Sequence, residues 1–349
     1  MTAQHDPAEF PPARRIPVIA ITGYLGAGKT TLLNNLLRAP GARLGVVVND
    51  FGSINVDATL VSGQIDEAAA ISGGCLCCLP DAGGLDDALE RLSHPRLRLD
   101  AILIEASGVA EPAALARVIR FSGAERVRPG GIVEVIDAHE HFRTVDTHPE
   151  PPARYAAASL VVLGKTDLLA EHERAETLAR IRERVRLRNA SVHLVEAQSG
   201  RIDPSLVFDT ASTEDPVDEL PLARLLREDA GAHDHPHAEA VSVALTGPVP
   251  PGALVDLLEH PPPGAYRVKG RVRVRGAKGE RGYLVNVVGA SVHVEPLTEA
   301  PEIGELVAIG MHLDPSEALA RLRTIADAPD DRPDPVGLRR IRRHRRLSE

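Results

Sequence analysis

Eight residues near the N-terminus, Gly23-Tyr-Leu-Gly-Ala-Gly28-Lys29-Thr30, place glycine at the first and sixth positions and Lys-Thr at the last two. That spacing suits phosphate. Glycines let main-chain N–H groups turn inward, so the backbone of Gly23, Gly26, Ala27, Gly28, Thr30 and Thr31 can cradle an oxyanion. The N-terminus of a following helix adds partial positive charge. Lys29 can reach the β- and γ-phosphates, and the Thr30 hydroxyl offers a hard oxygen to Mg²⁺. Gly-rich turns also arise by accident. Here an apolar strand-like run, Ile16–Thr22, precedes the motif and a helical pattern, Lys29–Arg38, follows it, which is the setting a nucleotide loop requires.

Two further stretches fit the same chemistry. Ala101-Ile-Leu-Ile-Glu105 is an apolar run ending in a carboxylate, followed by Ala106-Ser107-Gly108. A carboxylate at a strand tip can order magnesium or an attacking water, and the glycine permits close backbone approach. Val161-Val-Leu-Gly164-Lys165-Thr166-Asp167 ends in a carboxylate that can accept from both N1–H and the 2-amino group of guanine, a pattern adenine cannot supply. Lys165 can lie along the base plane. The competing role for Asp167 is a helix N-cap.

The second strong signal is sulfur. The chain has three cysteines, Cys75, Cys77 and Cys78, within Ser72-Gly-Gly-Cys-Leu-Cys-Cys-Leu-Pro80. An odd, clustered set is not a disulfide framework. Three thiolates suit a soft or borderline metal, zinc first, and leave a fourth tetrahedral position open, which favours transfer over permanent holding. Burial as small hydrophobes, or redox work, are the alternatives. His233, His235 and His237 alternate in an acidic segment and can capture a metal weakly or simply be solvated.

These residues need a frame. Apolar runs at Ile16–Thr22, Leu44–Asn49, Asp100–Glu105, Gly131–Asp137, Ala158–Gly164 and Ser191–Glu196 alternate with helical patterns at 29–38, 84–93, 113–121 and 171–188. That alternation predicts an α/β domain with a doubly wound, mostly parallel sheet. Strands at 238–245, 265–274, 281–288 and 291–296, with helices at 251–259 and 314–325, predict a smaller C-terminal α+β domain with a mostly antiparallel sheet. The expected division is a disordered 1–14, a nucleotide domain over 15–208, a His-containing linker over 209–237, the α+β domain over 238–326, and a disordered Arg-rich tail over 327–349.

Composition narrows the function. Of 349 residues, 43% are hydrophobic and only 3% aromatic, so the core must be aliphatic; the formal charge of −9 argues against general nucleic-acid binding. No run approaches the ~20 apolar residues of a membrane span, and the N-terminus lacks a signal core, so a soluble cytoplasmic protein is expected.

Together these motifs resemble the CobW-type P-loop GTPases: GYLGAGKT, GGCLCC, the E-x-S-G-x-x-x-P stretch Glu105–Pro112, and GKTD at 164–167. Asn49-Asp50-Phe51-Gly52 through Asp57 resembles that family's switch segment, and Tyr266–Gly270 its C-terminal Arg-x-Lys-Gly strand. The resemblance runs from about Ile16 to Ile325. It implies a slow GTPase that holds GTP with Mg²⁺ and hands a metal to a client metalloprotein under nucleotide control. In that scheme Lys29, Glu105 and Asp50 serve hydrolysis, and Cys75, Cys77 and Cys78 hold Zn²⁺. A homodimer can complete the thiol set. Gly164 departs from the family's usual Asn, which removes an amide that buttresses the base and weakens the expected preference for guanine. Asp50 stands where the family has Glu. The alternatives are a metal buffer or sensor whose nucleotide is structural, delivery of cobalt or iron for cobalamin synthesis or a nitrile hydratase, and an ATP-dependent enzyme with a redox thiol loop.

Overall fold

The computed structural model describes residues 15–39, 42–50, 68–72, 83–208, 238–276, 279–326, 328 and 334–348. Cys75, Cys77, Cys78, His233, His235 and His237 lie outside them, as does the side chain of Asp50.

Apolar residues on both faces of a strand demand cover on both sides, and β1 (Ile16–Gly23) shows how that is met. Ile19 and Ile21 pack with Leu32, Leu33 and Leu36 of α1 (Lys29–Leu37). Val18 and Ala20 face the opposite way, into a layer built from Leu85, Leu89 and Leu92 of α2 (Gly83–Leu92) and Leu115 and Ile119 of α3 (Pro112–Arg120). The remaining strands are β2 (Leu44–Asp50), β3 (Ala68–Ser72), β4 (Ala101–Glu105), β5 (Val127–Asp137), β6 (Leu160–Gly164) and β7 (His193–Glu196). They form one seven-stranded sheet of order β3-β2-β4-β1-β5-β6-β7, every pairing parallel. Helix α4 (Glu171–Arg188) buries Leu178, Ile181 and Val185 against β6.

The second sheet is antiparallel, of order β11-β10-β9-β12-β8, from β8 (Glu239–Leu245), β9 (Arg267–Gly276), β10 (Gly279–Val288), β11 (Ser291–Pro296) and β12 (Gly304–Gly310). Val268, Val272 and Val274 of β9 point to one face, which is covered by α5 (Pro251–Glu259), α6 (Pro315–Arg323) and α7 (Pro335–Ser348). The two sheets share core: Tyr266, Val288 and Ile309 pack into the α1 side of the parallel domain beside Leu206 and Phe208.

Three elements differ from expectation. Strand β3 (AAAIS) carries only one β-branched residue and gives no strand signal. Strand β12 pairs with β8 and β9 and completes the second sheet. Residues 335–348, expected in a disordered tail, form a helix. Its apolar positions are sparse, yet Ile341 is 1% exposed, and Arg340 pairs with Asp256 at 2.7 Å and with Glu259 at 2.5 Å. Asp334 accepts from the backbone N–H of both Gly337 and Gly252, at 2.8 Å each, which fastens the helix start to α5. No helix among the described residues is long and apolar enough to cross a membrane.

Candidate functional site

The C-terminal tips of parallel strands all face one way, so side chains and loops at those tips meet. Gly23 ends β1 opposite Val135. Its φ is +147°, and a Cβ there would sit 2.5 Å from the Val135 carbonyl oxygen, so only glycine starts this turn. The chain then closes on itself, with Ala27 N–H donating to Tyr24 O at 3.1 Å, and passes into α1 at Gly28. Thr31 and Asn35 on α1 lean on the loop after β7, where Asn35 Nδ2 donates to Ser199 O at 3.2 Å.

Lys29 is 7% exposed, and its ammonium donates to the carbonyl oxygens of Gly23 and Tyr24, at 3.0 Å each. The cation therefore lies over the mouth of the loop. Thr30 Oγ1 donates to Glu105 Oε1 at 2.6 Å. Glu105 is 4% exposed and ends β4, so a hydroxyl from α1 and a carboxylate from β4 converge beside the loop. Two such oxygen donors suit Mg²⁺, which favours hard oxygen ligands and retains several of its waters. Gly108 is held against the same loop, since a Cβ there would lie 2.6 Å from Leu25 N.

On the other flank, Lys165 takes a left-handed conformation at φ +55° and donates to Asp137 Oδ2 at 2.7 Å. Asp137 Oδ1 accepts from the backbone N–H groups of His139 and Glu140. Asp167 is exposed, and α4 is capped at Ala170, so Asp167 does not serve as that helix's N-cap. A Cβ on Gly164 would lie 3.6 Å from Ala27 O and 3.7 Å from Ile136 O, ordinary contact distances, so this position faces the phosphate loop. Between β5 and the loop lies a cleft of about 300 Å³, lined by Tyr24, Ala27, Glu134, Asp137, His141 and Lys165 among others.

The structure thus gathers Gly23, Gly26, Ala27, Gly28, Lys29, Thr30, Thr31 and Glu105 around one loop, with Lys165 and Asp167 on the β6 side. The main chain of Asp50 ends β2, whose Val48 pairs with Glu105 of β4. The ladder between β2 and β3 pairs Asp50 with Ser72, three residues before Cys75.

Several residues here escaped the sequence reading. Asp137 holds Lys165. Glu134, 1% exposed in mid-strand, pairs with Arg154 and accepts from Thr22. Its burial raises its pKa, against the pull of Arg154. A charged residue inside the apolar run Ile132–Ile136 is the one signal that pointed to it.

A family profile described as the CobW/HypB/UreG nucleotide-binding domain matches residues 17–193, and one described as the cobalamin synthesis protein cobW C-terminal domain matches 238–326. The zinc chaperone CobW of a Sinorhizobium species is 31% identical over 350 residues, spanning 88% of this chain and 96% of its own length. The zinc chaperone YjiA of Escherichia coli K12 is 32% identical over 205 residues, 56% of this chain and 61% of its own. The zinc-regulated GTPase metalloprotein activator 1 of Schizosaccharomyces pombe is 33% identical over 198 residues, 54% of this chain and 47% of its own.

Proposed function

The chain belongs to the CobW/HypB/UreG family of nucleotide-binding proteins, and on that footing we propose that it is a GTP-hydrolysing metallochaperone that carries zinc. Lys29 and the backbone of Gly23–Thr31 hold the triphosphate. Thr30 and Glu105 would hold Mg²⁺, which supplies neutralisation of phosphate charge when bound. Glu105, with Asp50 at the neighbouring strand tip, orients the attacking water. Lys165 and Asp167 frame the base. Cys75, Cys77 and Cys78 take zinc as cargo, and the open fourth position is filled by water, by a client metalloprotein or by a second copy of the chain.

One observation supports coupling between the two sites. Strand β2 lies between β4, which carries Glu105, and β3, which leads into the cysteines, and all three are joined by main-chain ladders. A shift of the β2 tip on loss of the γ-phosphate would move the start of the thiol segment with it. That is an order-to-disorder switch clamped by one phosphate. The names of the relatives support zinc as the cargo.

The test is zinc affinity by competition with a chromophoric chelator under reducing conditions, with a GTP analogue, with GDP and with no nucleotide. The expected outcome is one tight zinc with the analogue, at least ~10-fold weaker binding with GDP, and loss of the tight site in Cys77→Ser. Equal affinity in all three nucleotide states would sink the coupling.

A further inference from the structure

The ion pair of Glu134 and Arg154 lies directly beneath the phosphate loop. Glu134 is 1% and Arg154 7% exposed. Arg154 Nε lies 2.6 Å from Glu134 Oε1, and a terminal guanidinium nitrogen donates to Oε2 at 3.3 Å. The same Oε2 accepts from the hydroxyl of Thr22, the residue before the loop begins, at 2.5 Å. The guanidinium carbon also lies 4.3 Å from the ring centroid of Tyr24, the second residue of the loop. One carboxylate and one cation therefore grip the chain on both sides of Gly23.

The charge arrangement matters as much as the packing. A carboxylate this deep, with little water to screen it, acts strongly on nearby cations. Two cations act on Glu134: Arg154, and Lys29 from the loop itself. Arg154 is the planar, permanently charged partner that can meet the carboxylate and lie on an aromatic ring together. Lys29 is the cation the phosphates need.

We infer that Arg154 is a positioning residue for nucleotide: it neutralises Glu134, so that Lys29 stays directed at the phosphates, and its stack on Tyr24 holds the loop in its binding shape. This rests on the reading that the loop binds a nucleoside phosphate. Without Arg154, an ionised Glu134 competes with the phosphates for Lys29.

The experiment uses the full chain and a fluorescent GDP analogue. Affinity is measured from pH 6 to 8.5, and GTP turnover at saturation, for the unaltered protein, Arg154→Met, the double variant Glu134→Gln/Arg154→Met, Arg154→Lys, Tyr24→Leu and Lys29→Ala. Arg154→Met should bind about 10-fold more weakly. The double variant, which lacks both charges, should recover to within ~3-fold of the unaltered protein, with turnover at saturation nearly constant across the Arg154 and Glu134 variants. Removing the second member also relieves a merely structural pair of its unpaired buried charge, so thermal melts fix the range in which each variant is folded. The affinity loss must persist where Arg154→Met is fully folded; a loss confined to temperatures at which it unfolds is that of a merely structural pair and overturns the inference. Equal weakness of the single and double variants at every pH overturns the inference, as does full affinity in Arg154→Met. Should Arg154→Met fail to fold, Arg154→Lys and Tyr24→Leu decide: affinity reduced roughly 3-fold in each is expected, and unchanged affinity in both overturns it. Lys29→Ala separates the two claims. If the unaltered chain binds no nucleotide, or Lys29→Ala binds as well as it does, the nucleotide reading fails and takes this inference with it. If those controls behave, a negative result falls on Arg154 alone.

Discussion

The 2.6 Å hydrogen bond between Thr30 and Glu105 joins a hydroxyl suited to magnesium with a carboxylate suited to water, so one residue can be altered without displacing the other. Glu105→Gln keeps an acceptor for Thr30 but removes the charge. GTP hydrolysis is expected to fall about 100-fold, while GDP affinity changes several-fold at most; turnover and a fluorescent GDP titration on the same sample check this. Gly164 offers the converse experiment. The space around it admits a Cβ at ordinary contact distances from Ala27 and Ile136. Gly164→Asn should therefore fold, restore an amide beside the base and raise the preference for GTP over ATP by about 10-fold, read by competition with unlabelled nucleotides. What was legible at this scale was local. The phosphate loop announces itself because eight consecutive residues define it. The pairs Asp137–Lys165 and Glu134–Arg154 join residues 28 and 20 positions apart, and no spacing rule connects them before the strands are laid side by side.

Among the elements, those with strong alternation or long apolar runs were read at nearly their observed limits, and those that rely on neighbours were not. Strand β3 is mostly alanine and exists because β2 offers an edge to pair with. Helix α7 carries six arginines, a composition that reads as solvated, yet its docking is settled by a few contacts. Ile341 enters the second core, and His344 donates to Glu259 at 2.8 Å beside Arg340. Those two partners, His344 first, hold the Glu259 pKa below the usual carboxylate range. Ile341→Ala is expected to cost about 2–4 kcal/mol. It should also expose the segment after residue 334 to trypsin at its arginines while the nucleotide domain stays intact; thermal melts and limited proteolysis followed by mass measurement give the two readings.

For the whole molecule, acid is the revealing stress. His141 is 1% exposed, with Phe142 and Tyr155 rings beside it. Burial pushes its pKa down to about 4, although Asp146, 3.6 Å away, pulls the other way. Between pH ~6.5 and ~4 the unfolded chain carries a proton at this histidine that the folded chain refuses, so stability is lost as pH falls through that window and is fully present above it. The loss reaches about 3 kcal/mol at the lower end. Urea midpoints at pH 7 and pH 4.5 should show it, and His141→Gln should flatten the difference while lowering stability at neutral pH. The two-sheet architecture was legible from the change in strand pattern along the chain. The shared core of Tyr266, Ile309 and Phe208 was not, because it is built from isolated apolar residues in separate elements.

Asp203 accepts from Ser205 N–H at 2.9 Å and, through its other oxygen, from Ala238 N–H at 2.7 Å. The chain thus leaves the first domain and re-enters the described structure at almost the same place, with Phe208 buried on one side of the departure and β8 starting on the other. Asp203 ties the residues on the two sides of positions 209–237 to each other, and their separation is set by the described structure alone. Doubling the length of such a loop costs only about 0.6 kcal/mol. By that relation, adding histidines or splicing a whole reporter protein between 208 and 238 is expected to cost the fold that holds the nucleotide little, which a thermal melt of such a variant would check.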